Sequence, residues 1–308
     1  MGKRVSVINF KGGVGKTTLA FHLAAGLVRY HNASVLVVDV DHQSSISILC
    51  MGPDQWEAAV HDERTVDKIF QHVTVNGAPF PGLEIICPNP IRDNLYPTLD
   101  VVPATLHLDD TEIELASSSS GNAIKSEWNK RTLLCRWLEE IESDRYDYVI
   151  FDCPPATKLV SQNAIAASHG YIVPVVPEAV MERGAPHLVQ LVHNGIDNKL
   201  RALAGFGEPY DTYVPDTALV GIVVTRIQTA RGESGFTLDH TAHLASLQRQ
   251  WGRRLVTPYI EQGIGISEAL TSGVPVFDLG YTQNVGLRGF PGRYRELVAN
   301  LKTRIDTL

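Results

Sequence analysis

The sequence predicts a doubly wound α/β fold, a mostly parallel sheet with helices on both faces. Four observations predict it. Short apolar runs of strand length alternate with helical patterns through nearly all of the 308 residues. The runs are apolar on both sides instead of alternating with polar residues, as in strands buried between two helical layers. The first run opens straight into a glycine-rich turn and then a helix pattern. Polar side chains cluster at the carboxyl ends of the runs, where ligands sit in such sheets.

Strands are expected at 4–9, 35–39, 99–102, 148–152, 171–176 and 219–225. The first contains Val5-Ser6-Val7-Ile8, the second Val35-Leu36-Val37-Val38 and the fourth Tyr148-Val149-Ile150-Phe151. Each is short, apolar throughout and bounded by turn-forming or charged residues. Helices are expected at 16–30, 124–141, 159–167, 185–192, 238–251 and 294–305. Two segments read as irregular. The serine-rich stretch 116–122 is expected to be a mobile surface loop. Residues 205–217, rich in Gly, Pro and Asp, are expected to link a helix to the next strand. Length alone would suggest about two domains, but nothing inside reads as a linker, so a single domain over 1–308 is expected.

Composition narrows the classes. A hydrophobic content of 44% is ample for a large core, and no apolar stretch reaches the length of a spanning helix. The N-terminal apolar run follows Lys3 and Arg4 but is too short for a signal peptide, and reads as a first strand. Cys50, Cys87, Cys135 and Cys153 form no C-x-x-C pair and are expected to be reduced and buried, consistent with a cytoplasmic chain. Net charge is −7, which argues against nucleic acid. Its distribution is uneven: from Arg226 onward there are ten basic and seven acidic residues, leaving 17 and 27 before it. Such asymmetry points to a charged partner.

Lys11-Gly12-Gly13-Val14-Gly15-Lys16-Thr17-Thr18 carries the most information. Strand, glycine loop, Lys-Thr, helix is the arrangement that holds a triphosphate tail. Glycines let backbone N–H groups face phosphate oxygens, and the helix N-terminus adds its dipole. Lys16 can reach the β- and γ-phosphates, and the Thr17 hydroxyl can ligate Mg²⁺. The usual pattern has glycine at position 10, where this chain has Phe10, and the loop begins instead with a second lysine, Lys11. Two further motifs end strands. Asp39-Val40-Asp41-His42-Gln43 follows the second strand, and Asp152-Cys153-Pro154-Pro155 follows the fourth. Standing alone, Asp39 or Asp41 would serve as an N-cap for a helix starting near Ser44. An aspartate at the place of Asp152 can bind Mg²⁺ through water. His42 has no second His or Cys at a ligand spacing, which counts against a metal role.

The two-lysine loop resembles the deviant P-loop of the ParA/MinD family of dimerising ATPases, and the resemblance runs from Lys3 to about Ile305. It implies a ParA/MinD-like P-loop fold with ATP and Mg²⁺ as ligands. Gly12, Gly13, Val14, Gly15, Lys16, Thr17 and Thr18 would bind the nucleotide, and Lys11 would reach the phosphates of a partner subunit's nucleotide. Asp41 would orient or deprotonate the attacking water. Thr17, Asp39 and Asp152 would hold the metal shell. His42 stands where the family's switch segment has proline. Softer matches place Thr225 and Arg226 where relatives contact the adenine, and put Pro258 and Tyr259, in a T-x-I-P-like segment, among the nucleotide-binding residues. Val173 to Glu178 and Ser267-Glu268-Ala269 with Gly273-Val274-Pro275 repeat further family strings.

By the same resemblance, ATP would join two copies into a homodimer, and hydrolysis, slow and partner-stimulated, would time its lifetime. ParA-type members bind DNA without sequence preference and, with a ParB-like or other cargo adaptor, position plasmids, chromosomes or large protein cargo on the nucleoid. The pool of phosphate contacts is Arg226, Arg231, Arg249, Arg253, Arg254, Arg288, Arg293, Arg295, Lys302 and Arg304. MinD-type members bind membrane through a C-terminal amphipathic helix. Tyr294, Leu297, Val298, Leu301, Ile305 and Leu308 form one such stripe, but a helix packed on the sheet is the expected reading because no linker frees it. P-loop biosynthetic amide ligases and metal-trafficking ATPases are the remaining alternative. The missing C-x-x-C pair and the lack of a second catalytic domain count against them.

Overall fold

The computed structural model describes residues 2–91, 95–119, 121–142, 145–155, 158–230, 235–279 and 289–308. An eight-stranded sheet runs in the order β3-β4-β2-β5-β1-β6-β7-β8. Its members are β1 (Lys3–Val7), β2 (Val35–Asp39), β3 (Cys87–Pro88), β4 (Leu99–Val102), β5 (Tyr148–Asp152), β6 (Gly170–Val175), β7 (Ala218–Val224) and β8 (Leu255–Val256). All neighbours are parallel except β3 on β4. The expected doubly wound α/β fold is the observed one.

Along β2 the side chains divide by parity, as the pleat requires. Val35 and Val37 of β2 enter one core, whereas Leu36 and Val38 enter the other. That is why these runs are apolar throughout: β2 and β5 are buried along their whole length. On one face lie α1 (Lys16–His31), α2 (Ser45–Met51), α3 (Pro53–His61), α12 (Ile264–Thr271) and α13 (Phe290–Asp306). The other face carries α4 (Asp67–Thr74), α5 (Leu108–Ser117), α6 (Ala123–Arg131), α7 (Leu133–Glu140), α8 (Leu159–Ala166), α9 (Ala179–Gln190), α10 (Asn198–Ala204) and α11 (Leu238–Trp251).

Several boundaries depart from expectation. The helix expected over 124–141 is two, because Thr132 leaves helical geometry at φ −124° and its hydroxyl bonds back to the Trp128 carbonyl. The helix expected at 185–192 starts six residues earlier and continues through a π-helical turn, Leu191–Asp197, into α10. β3 and β8 are two residues each, too short to leave a pattern. Residues 116 and 117 end α5, Asn122 caps α6 through its side chain, and position 120 of that stretch lies outside the described residues. Residues 205–217 form neither helix nor strand.

The C-terminal stripe is spent inside the core. Tyr294, Leu297, Val298, Leu301 and Ile305 are buried, and Val298 packs against Gly26 of α1. No described helix is long and apolar enough to cross a membrane.

Candidate nucleotide site

Three strand ends build the site. β1, β2 and β5 are adjacent and parallel, with Asp39 and Asp152 in register as Cα partners. The loop after β1 turns through Gly13 and Gly15 at φ 72° and 82°, a left-handed conformation that costs side-chain-bearing residues 1–2 kcal/mol, on the order of a cap's worth each. α1 starts at Lys16, so the N–H groups of its first turn point out of the loop.

The loop is held from both sides. Asn9 donates from Nδ2 to the Pro174 carbonyl at 2.7 Å and accepts the Lys11 N–H at 3.1 Å. From the end of β7, the Thr225 hydroxyl donates to the Val14 carbonyl at 2.7 Å and the Arg226 guanidinium donates to the Gly13 carbonyl. Arg226 itself sits at φ 52°. Farther along α1, His22 is fully buried and stacks on Tyr294 at 4.0 Å. Its Nε2 accepts the Val276 N–H at 3.1 Å, so its proton is on Nδ1 and goes to the Thr18 carbonyl at 2.7 Å.

A cavity of about 870 Å³ opens over this loop. Gly12, Gly13, Gly15, Lys16, Thr17, Thr18, Asp41, Thr225 and Arg226 line its polar end, and Ile260 to Gly263 with Ile48, Leu49 and Ile266 line the rest. Lys16 Nζ lies 3.4 Å from the Lys11 carbonyl. Burial lowers its pKa, while Asp152 and Asp41 pull it back up. Asp41 is buried at the cavity wall, and its Oδ1 accepts the Gln43 N–H at 3.0 Å. His42 Nδ1 lies 3.6 Å from the same oxygen.

The remaining expected residues stand apart from that wall. Asp152 lies beneath it, fully buried, and neither carboxylate oxygen has a hydrogen-bond partner among the described residues, although the Thr17 hydroxyl is close enough to lower its pKa. Burial wins nonetheless and holds the carboxyl well above the usual range. Orphaned buried oxygens next to a hydroxyl suit a hard divalent cation, so the residues fit Mg²⁺. Asp39 is a different case. Its Oδ2 accepts the Ser47 hydroxyl at 2.5 Å and the Ser47 N–H at 3.2 Å, and its Oδ1 accepts the Asp41 N–H at 3.0 Å. Those bonds tie β2 to α2 and engage both oxygens expected in the metal shell. Pro258 and Tyr259 are not on the cavity wall. Tyr259 packs against the opposite core and its hydroxyl accepts from Gln248, leaving the wall to the next four residues.

Lys11 leaves the cavity altogether. Its ammonium forms an ion pair with Glu178, just after β6, with both side chains about two-fifths exposed at 37% and 39%. Among the expected phosphate contacts, Arg304 is committed to backbone carbonyls at β7 and β8, Arg293 to Glu261 and Lys302 to Asp306, while Arg295 stacks over Tyr30. Arg249, Arg253 and Arg254 are exposed with no ion pair among the described residues. Arg231 and Arg288 lie outside the described residues. Asn9, Ser47 and His22 were not legible as site residues, because each acts through a partner that folding alone brings near.

A family model described as an AAA domain matches residues 2–204. The sporulation initiation inhibitor protein Soj of Bacillus subtilis is 29% identical over 279 residues, covering 90% of each chain. A ParA family protein of Chlamydia pneumoniae is 26% identical over 279 residues, covering 89% of each. A crystal structure of a plasmid partition protein from Borrelia burgdorferi bound to AMPPNP superposes with a TM-score of 0.66 at 18% identity, covering 100% of this chain and 99% of that one. At that identity the likeness speaks for the fold. With the two-lysine loop after β1 and the acidic motifs that end β2 and β5 brought to one end of the sheet, the chain belongs to the ParA/MinD family of P-loop ATPases.

Proposed function

We propose that the chain is a ParA-like ATPase in which two copies clasp two ATP molecules between them, so that ATP holds the dimer and hydrolysis releases it. The observation that carries this reading is the separation of two lysines from one loop. Lys16 lines its own cavity, whereas Lys11 stands outside it on Glu178. An exposed ion pair is worth about 0–1 kcal/mol, so it yields readily to a neighbouring subunit's triphosphate.

In this reading the N–H groups from Gly12 to Thr18 cradle the phosphates, with Lys16 on the β- and γ-oxygens. Thr17 and Asp152 would hold Mg²⁺, which when bound offsets phosphate charge. Asp39 acts as a brace, fixing Asp41 and α2 through Ser47. Asp41, anchored through Oδ1, would align the attacking water with Oδ2 and accept its proton, giving ADP and phosphate. Thr225 and Arg226 would stiffen the loop near the base. While Lys11 is paired within its own chain the site lacks its second ammonium, which supports slow turnover, raised by dimerisation and by an adaptor of the ParB-like kind. Exposed Arg249, Arg253 and Arg254 supply the sequence-independent phosphate contacts that would put the dimer on nucleoid DNA. The cargo would be a plasmid, a chromosome or a large protein assembly.

The test is the Asp41→Ala variant with ATP. Sedimentation should give a dimer that retards plasmid DNA in gels at low salt and releases it as salt rises. A dimer that ignores DNA and floats with anionic liposomes would establish the MinD-like membrane alternative instead.

A further inference from the structure

The nucleotide cavity sits at the carboxyl end of β7, and a second group of side chains meets at the amino end. His193 and Asp197 lie four residues apart in the π-helical turn Leu191–Asp197, which puts them on one side of it. Such turns are rare and are found mostly at functional sites. Asp216 comes from the irregular segment 205–217, just before β7 begins at Ala218. One ligand atom from each, an imidazole nitrogen and two carboxylate oxygens, lies within 4.8 Å of the other two.

Asp197 is the fixed member of the group. It is 1% exposed, its Oδ1 accepts the Thr217 hydroxyl at 3.0 Å and its Oδ2 accepts the Thr217 N–H at 3.1 Å. Those bonds orient the carboxylate and still leave a lone pair free on each oxygen. Among the described residues no lysine or arginine forms an ion pair with it. Burial pushes its pKa up to about 6, and the nearby charge of Asp216 pushes the same way. His193 and Asp216 are exposed and can turn inward. Asp216 meets Arg201 at 2.9 Å, but that pair is solvated and gives way easily. A separate observation marks the same place. The Tyr213 hydroxyl is buried with no hydrogen-bond partner among the described residues, and burial followed by the charge of Asp197 raises its pKa. An orphaned buried hydroxyl calls for a polar partner, and a metal-bound water would give it one.

We propose that His193, Asp197 and Asp216 bind a divalent transition cation of the zinc class, with water in the fourth position. Zinc takes imidazole nitrogen and carboxylate oxygen at about 2.0–2.2 Å, so its ligand atoms stand roughly 3.4 Å apart. Rotation of the two exposed side chains closes that difference while Asp197 stays in place. The imidazole selects against Mg²⁺, which prefers oxygen and keeps its waters. Once bound, the cation clips the π-helical turn to the start of β7 and pins the chain between them, so its binding adds to the stability of the fold. The whole of β7 separates this site from Thr225 and the phosphate loop, and the inference does not depend on the ATPase reading.

The probe is zinc chloride, titrated by calorimetry into the nucleotide-free full chain. We expect a saturable site that weakens at least about tenfold in His193→Gln and in Asp216→Asn, and that Asp152→Asn retains. Both substituted ligands are exposed, so circular dichroism and ATP binding should match the parent. Zinc should also raise the thermal midpoint of the parent chain, and raise it less in the two ligand variants, whereas equimolar Mg²⁺ should not. No zinc binding, equal binding by His193→Gln, or loss of the site in Asp152→Asn would overturn the proposal. So would a midpoint that rises as much with Mg²⁺ as with zinc.

Discussion

The Lys11–Glu178 pair decides most at the scale of single residues. Two side chains about two-fifths exposed contribute little to stability, so their pairing matters for where the ammonium waits. Glu178→Gln should therefore leave unfolding unchanged and shift ATP-dependent dimerisation to about two- to fivefold lower protein concentration, read by sedimentation. An unchanged association curve would mean that the pair holds nothing back. His22 supplies a pH prediction. Burial depresses its pKa to about 4 from 6.5, with no charged neighbour as cause. Between those values the unfolded chain binds a proton that the folded chain refuses. Stability is then full above pH 6.5 and falls by about 3 kcal/mol as pH drops toward 4. Urea midpoints in that window should slope less steeply in His22→Gln. The slope persists in part, because burial together with Arg4 and Lys3 also pushes His169 to about 4. Identical slopes would remove His22 from the account. Neither residue announces itself in the sequence: His22 is one polar letter in an apolar helix, and its partner Val276 lies 254 positions away.

Elements were legible where burial was complete. β2 and β5 are buried along their whole length and end in aspartates, which made both their course and their carboxyl ends readable. α5 was missed because its buried positions include Thr111 and Glu112, so the apolar period is broken by the carboxylate that caps α8. α9 begins earlier than expected because Pro186 sits inside it, where a proline reads as the first turn of a helix. The stripe of α13 was legible as a pattern but ambiguous in purpose. Its packing against Gly26, where a Cβ would come within 2.7 Å of Val298, assigns it to the core. Leu301→Ala should accordingly cost about 2–5 kcal/mol in chemical denaturation. A stripe reserved for a membrane would leave stability untouched.

The asymmetry of charge between the two parts of the whole chain narrows on folding. Of the eight described basic residues after position 225, five are engaged within the fold, and Arg249, Arg253 and Arg254 around the end of α11 are exposed with no ion pair among the described residues. Arg253→Glu/Arg254→Glu should weaken plasmid binding at every sequence alike and lower the salt slope by about one per lost contact. A slope that stays the same would move the DNA face elsewhere. The residues gathered around the cavity, the P-loop and Asp41 with Asp152 beneath it, stand out in the sequence because their neighbours form recognisable strings. Less legible were the contacts of Asp39, whose Oδ2 accepts from Ser47 and whose Oδ1 accepts the Asp41 N–H, and the path that keeps Tyr259 off the cavity wall, because both are set by how neighbouring elements pack. The claim on which the rest depends is that the ammonium of Lys11 completes a site in another subunit. Sedimentation of Lys11→Ala with ATP, in the Asp41→Ala background that halts turnover, tests it most directly. The account predicts retained nucleotide binding and a monomer; a dimer as tight as that of Asp41→Ala alone would contradict it.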